Sequence, residues 1–168
     1  METSKKTVSS IAHLGYVVDC LEDNIAAFAP LYGIDRFEIY DFKPLRAWAY
    51  GKEIFDCRFR IAMGAVENGI SMELIQPISG STPQMEFLKR CGGGVHHFSV
   101  SVRDFEGQRS QCRCIPNANI IFEAEVYDEK RGYRRCFYVQ IDKACPVVEF
   151  AEIPRKYPPD PIQKSIMV

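Results

Sequence analysis

The alternation of apolar and polar residues is repeated in the two halves of the chain. Residues 11–19 and residues 95–104 both alternate in this way, which is typical of a strand with one buried face. In each segment a histidine precedes a valine by five residues, and an aspartate follows where it can cap a helix. This agreement predicts an internal duplication. The matching residues are His13, Val18 and Asp19 in the first segment and His97, Val102 and Asp104 in the second.

Each copy continues with a helix and three strands. After Asp19, apolar residues recur at helical spacing until Gly33, which is a natural helix end, and a more polar helix is expected over about 105–112. Both helices are followed by segments of strand-like composition, so each half reads strand, helix and three strands. These segments are 37–42, 54–63 and 71–76 in the first half, and 120–126, 135–141 and 147–152 in the second.

The whole chain is expected to form one domain, because 168 residues suit a single unit better than two. Module one covers about 10–78 and module two about 94–153. A short helix connects them over about 81–90, with Pro83 in its first turn. The proline-rich tail, 154–168, cannot form a regular helix or a central strand and is expected to lie extended on the surface.

The charge balance excludes two classes of partner. The chain has 21 basic and 22 acidic residues, a formal net charge of −1, so it offers neither the basic surface of a nucleic-acid binder nor a polybasic membrane patch. No apolar run approaches the roughly 20 residues of a membrane helix. The first residues contain no apolar signal core, and seven cysteines are expected as reduced thiols. The protein is therefore expected to be cytoplasmic.

Two glutamates complete the repeated pattern. Glu73 and Glu149 stand inside apolar strands near the end of each half, 60 residues after His13 and 52 residues after His97 respectively. A charge in such a strand is costly unless it is paired or bound to a metal. Two neutral imidazoles and two carboxylates suit a divalent cation such as Co, Zn, Ni, Mn or Fe(II). The pattern therefore predicts a metal site formed by these four residues.

The third histidine of the chain is expected to be structural. His96 is adjacent to His97, so its side chain points to the opposite face of the strand. A single histidine in a strand is more often a core or surface residue than a ligand. The five-residue spacing to Val102 selects His97 rather than His96 as the counterpart of His13.

Four segments together resemble the vicinal-oxygen-chelate superfamily. They are His-Leu-Gly-Tyr-Val-Val-Asp from His13, Met-Glu-Leu-Ile-Gln-Pro from Met72, Phe-Leu and the following Gly-Gly-Gly-Val-His-His from Phe87, and Val-Val-Glu-Phe from Val147. The second and third segments are most similar to methylmalonyl-CoA epimerase and its glyoxalase-like relatives. The resemblance extends over about residues 11–152.

This resemblance implies both a fold and a ligand set. The fold is α+β, with two tandem βαβββ modules that form a curved, half-open mixed sheet around a metal site, commonly in a homodimer. The four ligand positions of the family fall on His13, Glu73, His97 and Glu149. Bacterial glyoxalase I uses the same types of ligand, so this set does not separate the two activities.

The resemblance also implies a carboxylate base. In the epimerases a carboxylate that precedes the second ligand moves the proton, and Glu53 is the best match, with Asp56 in reserve. A solvated loop residue beside Lys52 is an equally good interpretation of Glu53. Glu73 and Glu149 are the other candidates for the base.

The implied function is a divalent-metal-dependent epimerase or isomerase that moves a proton alpha to a carbonyl, with a small-molecule substrate such as the acyl-CoA thioester methylmalonyl-CoA. The alternatives are a glyoxalase I-type lactoylglutathione lyase acting on a thiol conjugate, an Fe(II) ring-cleaving dioxygenase and a non-catalytic small-molecule binding protein. A fourth ligand at Glu73 argues against the dioxygenase, and a complete ligand set argues against the binder. Three departures from the family, an aromatic-rich segment over 37–55, a charged turn over 128–135 and the proline-rich tail, leave the substrate open.

Overall fold

A computed structural model describes residues 8–67, 69–130, 132–142 and 146–153 of the chain. The proline-rich tail lies outside the described residues, so its extended conformation stays a prediction. Within the described part no helix has both the length and the apolar character needed to cross a membrane.

The first half of the chain contains one more hairpin than the sequence predicts. A helix follows the first strand, as expected, and five strands follow the helix instead of three. The elements are β1 (Val8–Val17), α1 (Leu21–Tyr32), β2 (Phe37–Phe42), β3 (Arg46–Ala49), β4 (Lys52–Ile54), β5 (Arg58–Ala65) and β6 (Ser71–Ser79).

The second half follows the predicted order of elements. A connecting helix precedes it, and one strand, one helix and three strands follow. These elements are α2 (Pro83–Cys91), β7 (Gly94–Val102), α3 (Phe105–Arg113), β8 (Asn119–Asp128), β9 (Gly132–Gln140) and β10 (Val147–Glu152).

Capping residues set the helix boundaries. The Thr82 side chain accepts a hydrogen bond from the backbone amide of Met85 at the start of α2, and Asp104 accepts one from Gly107 at the start of α3. Helix α1 ends at Gly33, whose φ of 62° lies in the left-handed region that glycine adopts without strain.

All ten strands form one mixed sheet in which the two halves are related. The order is β2-β5-β6-β1-β7-β10-β9-β8-β3-β4. Strands β1 and β7 pair antiparallel at the centre, while β1 pairs parallel with β6 and β7 parallel with β10. Each half thus contributes the same local strand order, which confirms the predicted α+β fold class.

The β3–β4 hairpin shows how strongly the sheet curves. Strand β3 pairs with β8 of the second half, although it follows β2 in the chain. Only residues 43–45 join β2 to β3, and only residues 55–57 join β4 to β5. Since such links span at most about 14 Å, the two ends of the sheet lie close together. The predicted strand 54–63 is therefore divided, because Ile54 ends β4 and β5 begins at Arg58.

The concave face of the sheet holds the main core, and the helices cover the convex face. The largest buried cluster combines side chains of both halves, among them Phe59, Ile75, Phe122 and Tyr138. Two smaller clusters lie on the other face, one around Leu21 of α1 and one around Phe105 of α3. The concave face is thus enclosed by strands from both halves, and the four predicted ligands lie there.

Candidate metal centre

The four predicted ligands lie on four neighbouring strands at the centre of the sheet. His13 is on β1 and His97 on β7, while Glu73 is on the adjacent β6 and Glu149 on the adjacent β10. Gly15 is opposite both Glu73 and His97 in the strand register. The duplication therefore places the two histidines on the central strand pair and one glutamate on the strand at each side of it.

The side chains converge through single atoms. Nε2 of His13 lies 3.2 Å from Oε2 of Glu73, 3.1 Å from Oε2 of Glu149 and 3.4 Å from Nε2 of His97. Nε2 of His97 lies 3.3 Å from Oε2 of Glu73 and 3.8 Å from Oε2 of Glu149. His13, Glu73 and His97 form the compact group, with donor atoms all within 4.8 Å of one another, and Glu149 joins it less tightly.

These distances fit a first-row divalent cation. Ligand bonds of about 2.0–2.2 Å place neighbouring ligand atoms of a tetrahedral or octahedral ion about 2.8–3.6 Å apart. Four of the five distances fall in this range. Oε2 of Glu73 and Oε2 of Glu149 are fully buried, and each lies within 3.2 Å of Nε2 of His13. Burying two carboxylates at one point is costly, and a bound cation would offset that cost.

The electrostatics of the cluster also favour a cation. Burial disfavours the charged form of His13, yet the adjacent carboxylates of Glu73 and Glu149 raise its pKa to about 11. Burial also opposes the ionisation of both glutamates, but the neighbouring imidazoles hold the pKa of each carboxyl below its usual range. The site thus contains two buried carboxylates, and with His13 in its neutral form their two negative charges match the charge of a divalent ion.

Two small residues stand at equivalent positions beside the histidines, and one of them makes room for an imidazole ring. A Cβ atom at Gly15 would overlap the ring of His97, so this ring occupies the space that any other residue would fill. The equivalent position of the second half is Ser99, which faces His13 and Glu149 in the strand register. Ser99 is completely buried, and its Oγ has no hydrogen-bond partner in the described part of the chain.

A cavity of about 380 Å³ opens from the cluster into the concave face. His13, Glu73 and Glu149 lie in its wall together with Arg134, Arg135, Cys136 and Tyr138. The rest of the wall is aromatic or aliphatic, from Tyr40, Phe42, Phe59, Ile61, Met63, Ile75, Phe122, Val126 and Ala151. A larger cavity of about 500 Å³ beside α3 and β3 contains none of the four predicted ligands.

The sequence profile of the Glyoxalase/Bleomycin resistance protein/Dioxygenase superfamily matches residues 12–137. The chain belongs to this superfamily. The match spans most of the chain and confirms the family resemblance that the sequence motifs indicate. No curated protein sequence matches the chain.

Several solved structures share the fold at low sequence identity. Methylmalonyl-CoA epimerase from Mycobacterium tuberculosis is 17% identical, with a TM-score of 0.61 over 92% of this chain and 94% of that chain. A Streptomyces coelicolor methylmalonyl-CoA epimerase variant in complex with 2-nitronate-propionyl-CoA is 18% identical, with a TM-score of 0.54 over 87% and 98%. A 4-hydroxymandelate synthase variant from Streptomyces coelicolor is 13% identical, with a TM-score of 0.56 over 89% of this chain and 50% of that chain.

Glu53, the base suggested by the family resemblance, does not reach the cluster. It lies on β4 at the end of the sheet, where its Oε1 accepts a hydrogen bond of 2.9 Å from Nε of Arg46. Asp56 accepts a hydrogen bond from Ser79 instead. Neither residue lines the cavity of the cluster. The structure therefore does not bring Glu53 together with the four predicted ligands.

His96 lies outside the cluster but touches one of its members. Its Nδ1 is 3.2 Å from Nδ1 of His97, and its ring packs edge-on against Phe87 of α2. Burial, followed by the nearby His97, lowers the pKa of His96 to about 3, so its imidazole is neutral. A neutral ring at this distance can fix the tautomer of His97, whose Nε2 faces the cluster.

Sequence reasoning missed three wall residues on β9. Arg134, Cys136 and Tyr138 alternate along this strand and share its inward face. The predicted strand began at 135, which assigned Arg134 to the charged turn. The period-two spacing of these residues was the available signal. Burial raises the pKa of Tyr138 well above its usual value, as does the nearby charge of Glu149, so the phenol stays protonated.

Proposed function

We propose that the protein is a divalent-metal-dependent enzyme that moves a proton on the carbon next to a carbonyl group, as an epimerase or isomerase does. The observation that carries this proposal is the convergence of two imidazoles and two ionised carboxylates at the inner end of an apolar cavity. The superfamily to which the chain belongs and the likeness of its fold to methylmalonyl-CoA epimerases support it.

The proposed ligands are His13, Glu73, His97 and Glu149. The donor set of two nitrogens and two oxygens suits Co, Zn, Ni, Mn or Fe(II). When bound, the ion supplies Lewis-acid polarisation of the substrate carbonyl, which makes the adjacent carbon–hydrogen bond more acidic. The protein holds both imidazoles rigidly, since His97 is completely buried and His13 nearly so.

Glu149 is the proposed base. Among the described residues that line the cavity, the carboxylates are Glu73 and Glu149. Glu149 is held less tightly, because its Oε2 is 3.8 Å from Nε2 of His97 while that of Glu73 is 3.3 Å away. A carboxylate oxygen of Glu149 takes the proton as the carbon–hydrogen bond breaks and the carbon becomes planar. Return of the proton from Glu149 to the same face restores the substrate, whereas delivery of a solvent proton to the opposite face, with the first proton passed from Glu149 to solvent, inverts the configuration. A positioned carboxylate of this kind contributes roughly 10²–10⁴-fold.

An acyl-CoA thioester such as methylmalonyl-CoA is the proposed substrate class. A methylmalonyl-CoA epimerase variant that shares this fold has been solved in complex with 2-nitronate-propionyl-CoA. The apolar wall formed by residues such as Phe59, Ile75 and Phe122 suits a short acyl chain. A homodimer, as is common in the family, is part of this proposal.

A glyoxalase I-type reaction on a glutathione hemithioacetal is the second candidate. The same set of two histidines and two glutamates supports it, because a ligand carboxylate can also act as the base, and this set does not separate the two reactions. Iron-dependent ring cleavage has less support, since Glu73 occupies a fourth position beside the two histidines.

Elemental analysis of the purified protein, followed by three parallel incubations, tests the proposal. The metal-loaded protein is mixed with chiral methylmalonyl-CoA in D₂O, with a glutathione hemithioacetal, and with catechol under air. We expect deuterium uptake or inversion in the first reaction and none in the Glu149→Gln variant. Turnover of the hemithioacetal alone would select the glyoxalase reaction, and oxygen uptake alone would select the dioxygenase.

A further inference from the structure

Arg134 places an unpaired cationic group in the wall of the cavity. Its Nη1 atom is buried and has no hydrogen-bond partner among the described residues. The neighbouring Arg135 is different, because it forms ion pairs with Glu106 and Glu152. A buried guanidinium nitrogen without an acceptor carries a desolvation cost, and an anionic ligand in the cavity would offset it.

The net charge of the cavity also favours an anionic ligand. The two carboxylates of Glu73 and Glu149 match a divalent cation, so the proposed metal would leave the cluster neutral. Arg135 is already paired with glutamates, and the remaining charge in the described wall is the guanidinium of Arg134. The loaded cavity is then cationic by about one charge and favours an anionic group on its ligand.

The strand register shows how far Arg134 lies from the proposed metal ligands. Tyr138 pairs with Glu149, and Arg134 is four residues earlier on the same strand. Four residues of strand span about 13 Å. The arginine side chain covers part of this length, and Cys136 and the apolar wall line the space between. The anion site and the metal site therefore lie at two ends of one cavity.

We propose that Arg134 binds a second anionic group of the substrate, at a distance of several carbon–carbon bonds from the oxygens held at the metal site. This inference rests on the proposed function, since it requires a metal-anchored ligand. It extends the proposed substrate class beyond methylmalonyl-CoA, to carbonyl compounds in which a short apolar segment carries a carboxylate at its far end. The planar guanidinium suits a carboxylate, which it can bind through two parallel hydrogen bonds.

Pairs of small molecules that differ in one carboxylate isolate the contribution of the far anionic group to binding. The protein is loaded with Co²⁺, whose visible absorption changes when ligand oxygens bind the ion. It is then titrated with 2-oxo diacids of five, six and seven carbons and with the 2-oxo monoacids of the same lengths. Each diacid differs from its partner only in the far carboxylate. We expect at least one diacid to bind about 10- to 100-fold more tightly than its monoacid.

Two substitutions test the role of the guanidinium. In Arg134→Gln the preference for the diacid should fall to within about twofold, while the monoacid affinity stays unchanged. Arg134→Lys should retain part of the preference, because it keeps the charge but loses the planar donor pair. Arg58→Gln is the matched control, since Arg58 is exposed and lies outside the cavity.

The outcomes distinguish the two proposals. A protein that takes up no Co²⁺ overturns the metal site and, with it, the inference about Arg134. A protein that binds Co²⁺ and the monoacids but shows no preference for any diacid overturns the anion site alone. A preference that survives in Arg134→Gln also overturns it, because the anion must then be held elsewhere.

Discussion

At the level of single residues, the cluster depends on what stands beside each ligand. Gly15 and Ser99 occupy equivalent positions two residues after the histidines, and Gly15 leaves space for the ring of His97 from the neighbouring strand. The clustering of these four residues could be predicted from the sequence because the duplication marks one histidine and one glutamate in each half. The free space beside their side chains could not be predicted, because it depends on the pairing register between β1 and β7.

The two adjacent histidines should respond differently to substitution. His97→Ala should largely abolish metal binding, because it removes a buried donor atom from the compact group. His96→Asn should leave the metal content nearly intact, because its ring lies beside His97 and not in the cluster. Metal content per chain after dialysis measures both. Equal losses in the two variants would show that the ligand assignment is wrong.

Gly15→Ala should reduce metal affinity without removing any ligand. The added methyl group would overlap the ring of His97, which must then rotate or shift. A misplaced ligand in an otherwise intact site commonly costs 10- to 100-fold in affinity, by analogy with the loss of orienting contacts. Competition with a chromophoric chelator measures the change. Gly69→Ala, on an exposed loop, is the control and should bind metal as the unaltered protein does.

Metal uptake should release a proton from His13. In the metal-free protein the carboxylates around it raise its pKa to about 11, against burial, so His13 is protonated at neutral pH. A metal ion requires the neutral imidazole and displaces this proton. Apparent affinity should therefore rise with pH, by about tenfold per unit, between pH 6 and 9. Calorimetry in buffers of different ionisation enthalpy counts the protons, and a count of zero would contradict the assignment.

At the level of elements, periodicity predicted most strands, and long-range pairing determined the rest. The duplicated strands, α1, α2, β2 and the three strands of the second half follow from local patterns. The β3–β4 hairpin was not predicted, because its turn is Tyr50-Gly51 rather than one of the common hairpin pairs, and its partner β8 is distant in sequence. Because the sequence predicts that β9 begins only at residue 135, it does not assign Arg134 to this strand.

The turn of this hairpin should be sensitive to a side chain at Gly51. Its φ of 76° is unfavourable for residues with a Cβ, although the surrounding space is empty. Gly51→Ala should therefore lower the free energy of unfolding by about 1 kcal/mol through backbone strain alone. Urea denaturation measures the loss. Metal content should not change, since the hairpin lies at the far end of the sheet from the central strands.

At the level of the whole molecule, the proposed metal links both halves through adjacent strands. Strands β6, β1, β7 and β10 are neighbours, and each provides one ligand. The superfamily fold and the α+β class follow from the sequence because the two halves repeat one pattern. The identity of the substrate does not follow, since the cavity wall combines side chains from distant strands such as β2, β5, β8 and β9.

This arrangement predicts that metal binding stabilises the entire fold. The four ligands come together only in the folded sheet, so the ion binds the native state and not the unfolded chain. At a free metal concentration one hundred times the dissociation constant, the native state should gain about 2.7 kcal/mol. Denaturant unfolding with the ion and with a chelator measures the difference. His97→Ala should show no such gain. A gain of equal size in that variant would mean that the ion binds at another site on the protein.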